Sequence, residues 1–227
     1  MSGEPDIAVP ARALGDPARG RIVSALLGNR AIPAGELARI AGLSASTTSE
    51  HLRVLADAEI IIADQRGRNR YYRLTGSDVS HAIEALQAIA PQIEARSLRQ
   101  HRVSEELRQA RTCYDHVAGD LGLRLTDLLV RQKIITELAV GCVTHPPQPF
   151  PNGPVATMLG IRPPRGRRPW ARGCPDWTGR RPHVAGQVGA QILTALQATR
   201  WITSRVTSRA VELTEAGERG LHQLEAL

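Results

Sequence analysis

The sequence predicts a mainly α-helical chain with small β-hairpins, and three observations carry that expectation. Apolar residues recur at helical spacing along the first hundred positions, a capping hydroxyl at Ser44 opens one such pattern, and two short strand-like runs flank a basic turn at Gly67. In chain order, residues 7 to 14 (Ile-Ala-Val-Pro-Ala-Arg-Ala-Leu) read as a short opening helix. Gly15-Asp16-Pro17 then stops it and starts the next, with Asp16 as N-cap and Pro17 at the first helical position. Ile22, Leu26 and Leu27 form the apolar stripe of this second helix, and Gly28-Asn29 ends it. Glu36 to Ala41 is a third, short helix closed by Gly42.

The next helix begins at Ser44. Leu43, Thr48, Leu52 and Leu55 fall on its core side, so Ser46, Thr47, Ser49, Glu50 and Arg53 project outward. Short hydroxyls let a helix backbone come close to base edges in a major groove, which places Ser46, Thr47 and Ser49 near bases, with Ser44, His51 and Arg53 reaching phosphate or bases. Ile60-Ile61-Ile62, a turn at Gln65-Arg66-Gly67-Arg68 and the return Arg70-Tyr71-Tyr72-Arg73-Leu74 make a hairpin whose Arg66, Arg68 and Arg70 suit sugar-phosphate contact. Short helix, glycine turn, capped helix and basic hairpin together make a winged helix-turn-helix, the architecture of a DNA reader. From Ser77 to about Arg96 a long amphipathic helix carries Val79, Ile83, Leu86, Ile89 and Ile93, more apolar surface than so small a module needs for its own core. Dimerisation is its natural use.

Length and charge bound the rest. The chain has 227 residues, enough for two domains of about 100 residues each. Aromatic residues are 3 %, so any core is aliphatic. Net charge is +7, but residues 1 to 96 balance 11 arginines against 11 acids, and the excess lies in residues 97 to 227, with 18 basic groups against 11 acidic. Bulk charge therefore does not argue for DNA binding; local placement of the hairpin arginines does. Cys113, Cys142 and Cys174 are an odd count without a Cys-x-x-Cys, no signal peptide is recognisable, and no apolar run reaches membrane-spanning length. These features predict a cytoplasmic protein with no membrane partner.

Four blocks carry a family resemblance: Leu14 to Arg19, Gly35 to Ala38, Leu43 to Leu52 and Gly67 to Tyr72. In this order and spacing, residues 7 to 95 resemble the ArsR/SmtB family of bacterial repressors. The resemblance implies a homodimer built on the first and last helices of this domain, bound to an imperfect palindrome of double-stranded operator DNA. Pro33 stands where the family usually has a capping hydroxyl, and Ala45 where several relatives carry a base-reading glutamine. Metal-sensing relatives place a Cys-x-Cys where this chain has Leu37-Ala38-Arg39-Ile40. Asp78 and His81 lack the partner positions of the family's second metal site, so His81 reads as a surface histidine.

The expected domains are 1–96 for DNA binding and dimerisation, 97–110 as a linker or helix extension, and 111–227 as a sensor. In the last, residues 111 to 130 suggest two helices divided near Gly122, 141 to 169 an irregular loop, 183 to 199 a helix, and 201–203 with 210–213 a second hairpin before a final helix. That order suggests a degenerate winged helix. The half also resembles the second domain of a longer ArsR subgroup, through Arg111 to His116 and through Cys174, Asp176, Trp177, Arg180, Arg181, Pro182 and His183. Cys113 and His116, three apart and so on one helix face, join Cys174 and His183 as a set sufficient for a metal ion. A thiol switch between Cys113 and Cys174, simple packing, and an organic effector walled by Trp177 or Trp201 remain open beside it. The arginines between Arg162 and Arg181 read as a solvated loop. No glycine-rich phosphate loop, His-Glu-x-x-His or Gly-x-Ser-x-Gly is present, so the sequence predicts a regulator rather than an enzyme, with a nucleoid-type architectural binder as the alternative that equal affinity for arbitrary and promoter DNA would mark.

Overall fold

The computed structural model describes residues 3–94, 97–205 and 208–227. Two compact units, Met1–Ile83 and Glu84–Leu227, divide inside a helix. The boundary expected at Arg96 lies outside the described residues.

The first unit contains α1 (Ala8–Leu14), α2 (Pro17–Leu26), β1 (Ile32–Pro33), α3 (Ala34–Ala41), α4 (Ala45–Asp57), β2 (Ile61–Arg66) and β3 (Asn69–Leu74), and leads into α5 (Ser77–Ile89). Asp16 caps α2 by accepting from the amides of Ala18 and Arg19, with Pro17 at the first position. Pro33 caps α3 without a side-chain hydrogen bond, and its strand pairs with β3 opposite Tyr71. Gly42 closes α3 at φ 69°, the left-handed turn that lets α4 start three residues later. The β-sheet runs in the order β1-β3-β2 and all its pairs are antiparallel.

Ile22, Leu26, Leu37, Leu52, Leu55 and Ile61 are completely or almost completely buried, each contributing about 1.5–3 kcal/mol by leaving water. Thr48 joins them because its hydroxyl donates to the Ser44 carbonyl at 2.8 Å, so burial does not strand that hydroxyl. The helix after the hairpin is shorter than its apolar pattern suggests. α5 stops at Ile89, two residues before Pro91, which lacks an amide and disfavours a helical residue ahead of it. Ile93 therefore lies beyond the helix, and Arg96 lies outside the described residues.

The second unit follows with α6 (Leu98–Gln109), β4 (Arg111–Thr112), β5 (Val117–Ala118), α7 (Asp120–Arg131), β6 (Val143–Thr144), α8 (Pro154–Met158), β7 (Ala171–Pro175), β8 (Pro182–Ala185), α9 (Gly186–Ala198), β9 (Ile202–Ser204), β10 (Val211–Leu213) and α10 (Glu215–Glu225). Its core gathers Leu125, Leu128, Leu129, Leu159, Val188, Ile192 and Leu224 from α7, α9, α10 and the segment after α8. The order α9-β9-β10-α10 repeats α4-β2-β3-α5, as a degenerate winged helix requires.

Three expectations are corrected here. Residues 111–118 form a hairpin, not a helix, and a single α7 runs through Gly122. A β-carbon at Gly122 would stand 2.5 Å from the Val117 carbonyl oxygen, so this glycine marks close contact rather than a break. Residues 141–169 are not wholly irregular, since they hold β6 and α8. Among the described residues no helix is long and apolar enough to cross a membrane.

Candidate functional site

The first surface is built by α4 and the β2–β3 hairpin. Ser44 caps α4, its Oγ accepting from the Thr47 amide at 3.2 Å and lying 3.0 Å from Ser46 Oγ. Ser44, Ser46, Ser49 and Arg53 are exposed and Thr47 is half-buried, so the hydroxyl row faces away from the core formed by Thr48, Leu52 and Leu55. Arg53 pairs with Asp57 one turn on at 3.1 Å. His51 is partly buried, with Nδ1 3.4 Å from the Arg19 guanidinium and 3.9 Å from Asp16, placing the ring against the start of α2.

On the hairpin, Arg66, Arg68 and Arg70 are exposed and none has a carboxylate partner among the described residues. Arg66 lies 5.2 Å from the Tyr71 ring centre and Arg70 lies 5.7 Å from that of Tyr72, contacts that hold each guanidinium without neutralising it. Arg73 differs: it pairs with Asp64 across the strands at 3.1 Å.

The second site lies inside the second unit. Cys113, His116, Cys174 and His183 are all buried, and one potential ligand atom from each falls within 4.8 Å of the others. Cys113 and His116 bracket the tight turn of the β4–β5 hairpin, where the Cys113 amide donates to the His116 carbonyl, not successive turns of a helix. Cys174 and His183 are cross-strand partners on β7 and β8. All three cysteines are free thiols, and the Cys113 and Cys174 sulfurs stand 3.8 Å apart.

Carboxylates surround this cluster. Asp176 Oδ2 is 2.9 Å from His183 Nδ1, and Asp115 Oδ1 is 3.3 Å from His116 Nδ1. Asp176 also accepts from the Arg111 guanidinium at 2.9 Å and from the amides of Gly119 and Thr178 at 2.8 Å, while Arg168 holds Asp115 through two bonds of 2.6 and 2.9 Å. Burial opposes ionisation of Asp176, but His183, Arg111 and the Gly119 amide outweigh it and hold its carboxyl well below the usual range. The Cys174 contact, burial and the Glu84 charge push the Cys113 thiol well up. Burial likewise opposes a charged His183, yet Asp176 and Cys113 raise it to about 9.

A buried ionic network adjoins the cluster and escaped the sequence reading. Glu84 is fully buried and pairs with Arg209, with Arg111 4.0 Å away; Arg111 also stacks on Trp177 at 4.1 Å. Glu84 carries no local signal because Arg209 lies 125 residues along the chain. Trp177 lines an open cleft of about 510 Å³ with Val103 and Leu107, whereas Trp201 is packed over Gly217 and Gly220 and belongs to the core. Of the loop arginines, Arg168 and Arg181 are tied to Asp115 and Asp127, and Arg162, Arg165, Arg167 and Arg180 are exposed.

The profile of a helix-turn-helix domain matches residues 14–62, from the end of α1 into β2. The cadmium-sensor relative CmtR of Mycobacterium tuberculosis, an HTH-type transcriptional regulator, is 40 % identical over 33 % of this chain and 63 % of its own. The uncharacterized HTH-type transcriptional regulator YdfF of Bacillus subtilis is 37 % identical over 218 residues, 94 % of each chain. This chain belongs to the ArsR family. It is a DNA-binding transcriptional regulator with a winged helix-turn-helix, and its likeness to YdfF spans both units rather than the DNA-binding half alone. A solved homodimeric winged helix-turn-helix domain from Mycobacterium bovis is 26 % identical over 39 % of this ArsR-family chain and 89 % of its own, with a TM-score of 0.35.

Proposed function

We propose that this regulator is a homodimeric repressor that reads a palindromic operator with α4 and grips the flanking backbone with the β2–β3 wing. The observation that carries the reading is the exposed hydroxyl row of α4 in the same unit as Arg66, Arg68 and Arg70, whose charges meet no acid among the described residues. Ser46, Thr47 and Ser49 are the base-reading set, Ser44 and Arg53 flank them, and His51 steadies the helix against Asp16 and Arg19. Two such helices entering successive major grooves on one side of a duplex sit about 34 Å apart.

Pairing is supported by apolar side chains left in water: Val9 on α1 is 42 % exposed, and Leu86 and Ile89 on α5 are 49 % and 82 % exposed. An effector held by the C-terminal unit then releases the DNA by binding the weakly DNA-binding state better, with a coupling of about 1–3 kcal/mol.

Footprinting upstream of the protein's own gene tests the reading. Two symmetric protected half-sites, with much weaker binding to a scrambled duplex, are expected. Equal affinity for both duplexes would overturn operator recognition and favour an architectural DNA binder.

A further inference from the structure

We propose that Cys113, His116, Cys174 and His183 form a closed tetrahedral site for a zinc-class divalent ion, which ties the β4–β5 hairpin to the β7–β8 hairpin. This site does not depend on the operator-binding reading.

Ligand chemistry comes first. Two thiols and two imidazoles are the donor set of four-coordinate zinc, and they select borderline-soft ions over magnesium or calcium. Geometry agrees. With zinc–sulfur bonds of about 2.3 Å, the two sulfurs of a tetrahedral site lie about 3.8 Å apart. The Cys113 and Cys174 sulfurs are 3.8 Å apart, far beyond a disulfide bond of about 2.05 Å. All four donor atoms lie within 4.8 Å of one another, so an edge that includes a nitrogen must tighten by up to about 1.5 Å to reach the roughly 3.3–3.6 Å of a tetrahedral zinc site.

The surroundings are those of a metal site. Carboxylate–histidine pairs orient ligating imidazoles, and here Asp176 engages His183 Nδ1 at 2.9 Å. With Nδ1 facing Asp176, His183 Nε2 is the nitrogen for the ion; both ring nitrogens are buried, and the Asp176 contact is an ion pair rather than an aligned hydrogen bond. Asp176 is itself fixed by Arg111 and two backbone amides, so the ring cannot swing freely.

The charges also close. On binding, both thiols and any protonated imidazole of His116 or His183 release their protons to solvent, and two thiolates with two neutral imidazoles neutralise a divalent ion. Asp176 is offset by Arg111 and Asp115 by Arg168, so no net charge is stranded in the interior.

No ligand is more than 1 % exposed. Four protein ligands and no access for a fifth group describe a structural centre rather than a catalytic one. The backbone supports the same purpose. Gly122 and Gly189 bring α7 and α9 close to the hairpins, and a β-carbon at Gly189 would stand 2.9 Å from His116 Cβ.

Cobalt substitution of the full-length protein tests the proposal. After removal of metal with chelator under reducing conditions, one equivalent of Co²⁺ should give the intense visible bands of four-coordinate cobalt and the near-ultraviolet charge transfer of two thiolates. One equivalent of Zn²⁺ should bleach both. The titration is run in a Cys142→Ser background, which removes the exposed third thiol. Cys174→Ser should halve the charge-transfer intensity per cobalt or abolish stoichiometric uptake.

If that variant does not fold, the parent titration still decides through its thiolate count. Substoichiometric uptake, the weak bands of six-coordinate cobalt, or full charge transfer retained by a folded Cys174→Ser protein would overturn the site. Operator binding measured on the same samples separates the two readings. Failed cobalt uptake with intact footprinting removes only the metal site, and normal uptake with no operator preference removes only the repressor reading.

Discussion

Replacing Arg68 with alanine should flatten the salt dependence of operator binding without altering which sequence is preferred. Arg68 sits at the turn of the β2–β3 hairpin, exposed and without a carboxylate partner among the described residues. A cation that neutralises one phosphate releases condensed counterions, which steepens log K against log salt by about 0.9. A symmetric dimer carries two copies, so the slope should fall by about 1.8. Between about 50 and 200 mM salt, a fourfold change, the affinity gap between wild type and variant should narrow about 12-fold.

Arg73→Ala is the internal control. Its charge is already met by Asp64 at 3.1 Å, so its slope should change much less. Fluorescence anisotropy on operator and scrambled duplexes across a salt series reads both slopes. An unchanged slope for Arg68→Ala, or a loss confined to the operator, would refute the backbone role of the wing.

Three further outcomes follow from the packing. Leu52→Ala empties a buried position under the exposed face of α4 and should cost about 2–5 kcal/mol in denaturant unfolding of the first unit, with operator affinity falling in step. Ile89→Glu places a charge on an apolar position that is 82 % exposed, so it should leave the monomer fold intact while shifting sedimentation from dimer to monomer. Glu84→Gln leaves Arg209 without its buried partner and should cost about 3–5 kcal/mol. Burial is the largest influence on Glu84 and opposes its charge, yet Arg209 and Arg111 hold its pKa below the ordinary 4.5. Its stabilisation is therefore complete above about pH 4.5 and is lost as pH falls through the lower folded value, a dependence that Glu84→Gln should remove from chemical-denaturation midpoints.

What could be read from the chain alone depended on how local its cause was. The cap at Asp16, the left-handed Gly42 and the apolar side of α4 follow from residues three or four apart, and each stands in the structure as its spacing predicts. The hairpin at Gly67 was legible for the same reason, its register closing over a two-residue turn from Arg66 to Asn69. The second unit was harder because its strands are two to five residues long, too short for an alternation to show.

Gly122 illustrates the difficulty. A glycine in a helical pattern reads as a stop, but here it exists because α7 presses on the Val117 carbonyl, a tertiary cause with no local trace. Cys113 and His116 lie near Cys174 and His183, but not from the helix face that their spacing of three predicts. Strand pairing, not helical periodicity, brings them together.

The charge distribution points the same way once partners are considered. The basic excess lies in residues 97 to 227, where counting alone would put the polyanion-binding surface. Yet Arg111, Arg124, Arg168, Arg181 and Arg205 all meet carboxylates there and Arg209 meets Glu84, so much of that charge is spent inside the protein's own fold. The formally neutral half keeps Arg66, Arg68 and Arg70 on one hairpin without acidic partners among the described residues, two of them held over tyrosine rings. A phosphate backbone responds to charges within about a Debye length of 8–10 Å, not to a chain-wide sum. The unneutralised hairpin is therefore the stronger electrostatic feature for a duplex, and a swap of Arg66, Arg68 and Arg70 to glutamine should reduce DNA affinity more than removal of an equal number of exposed arginines from the Arg162–Arg167 stretch. The opposite ranking in a salt-matched binding series would place the DNA contact on the second unit instead.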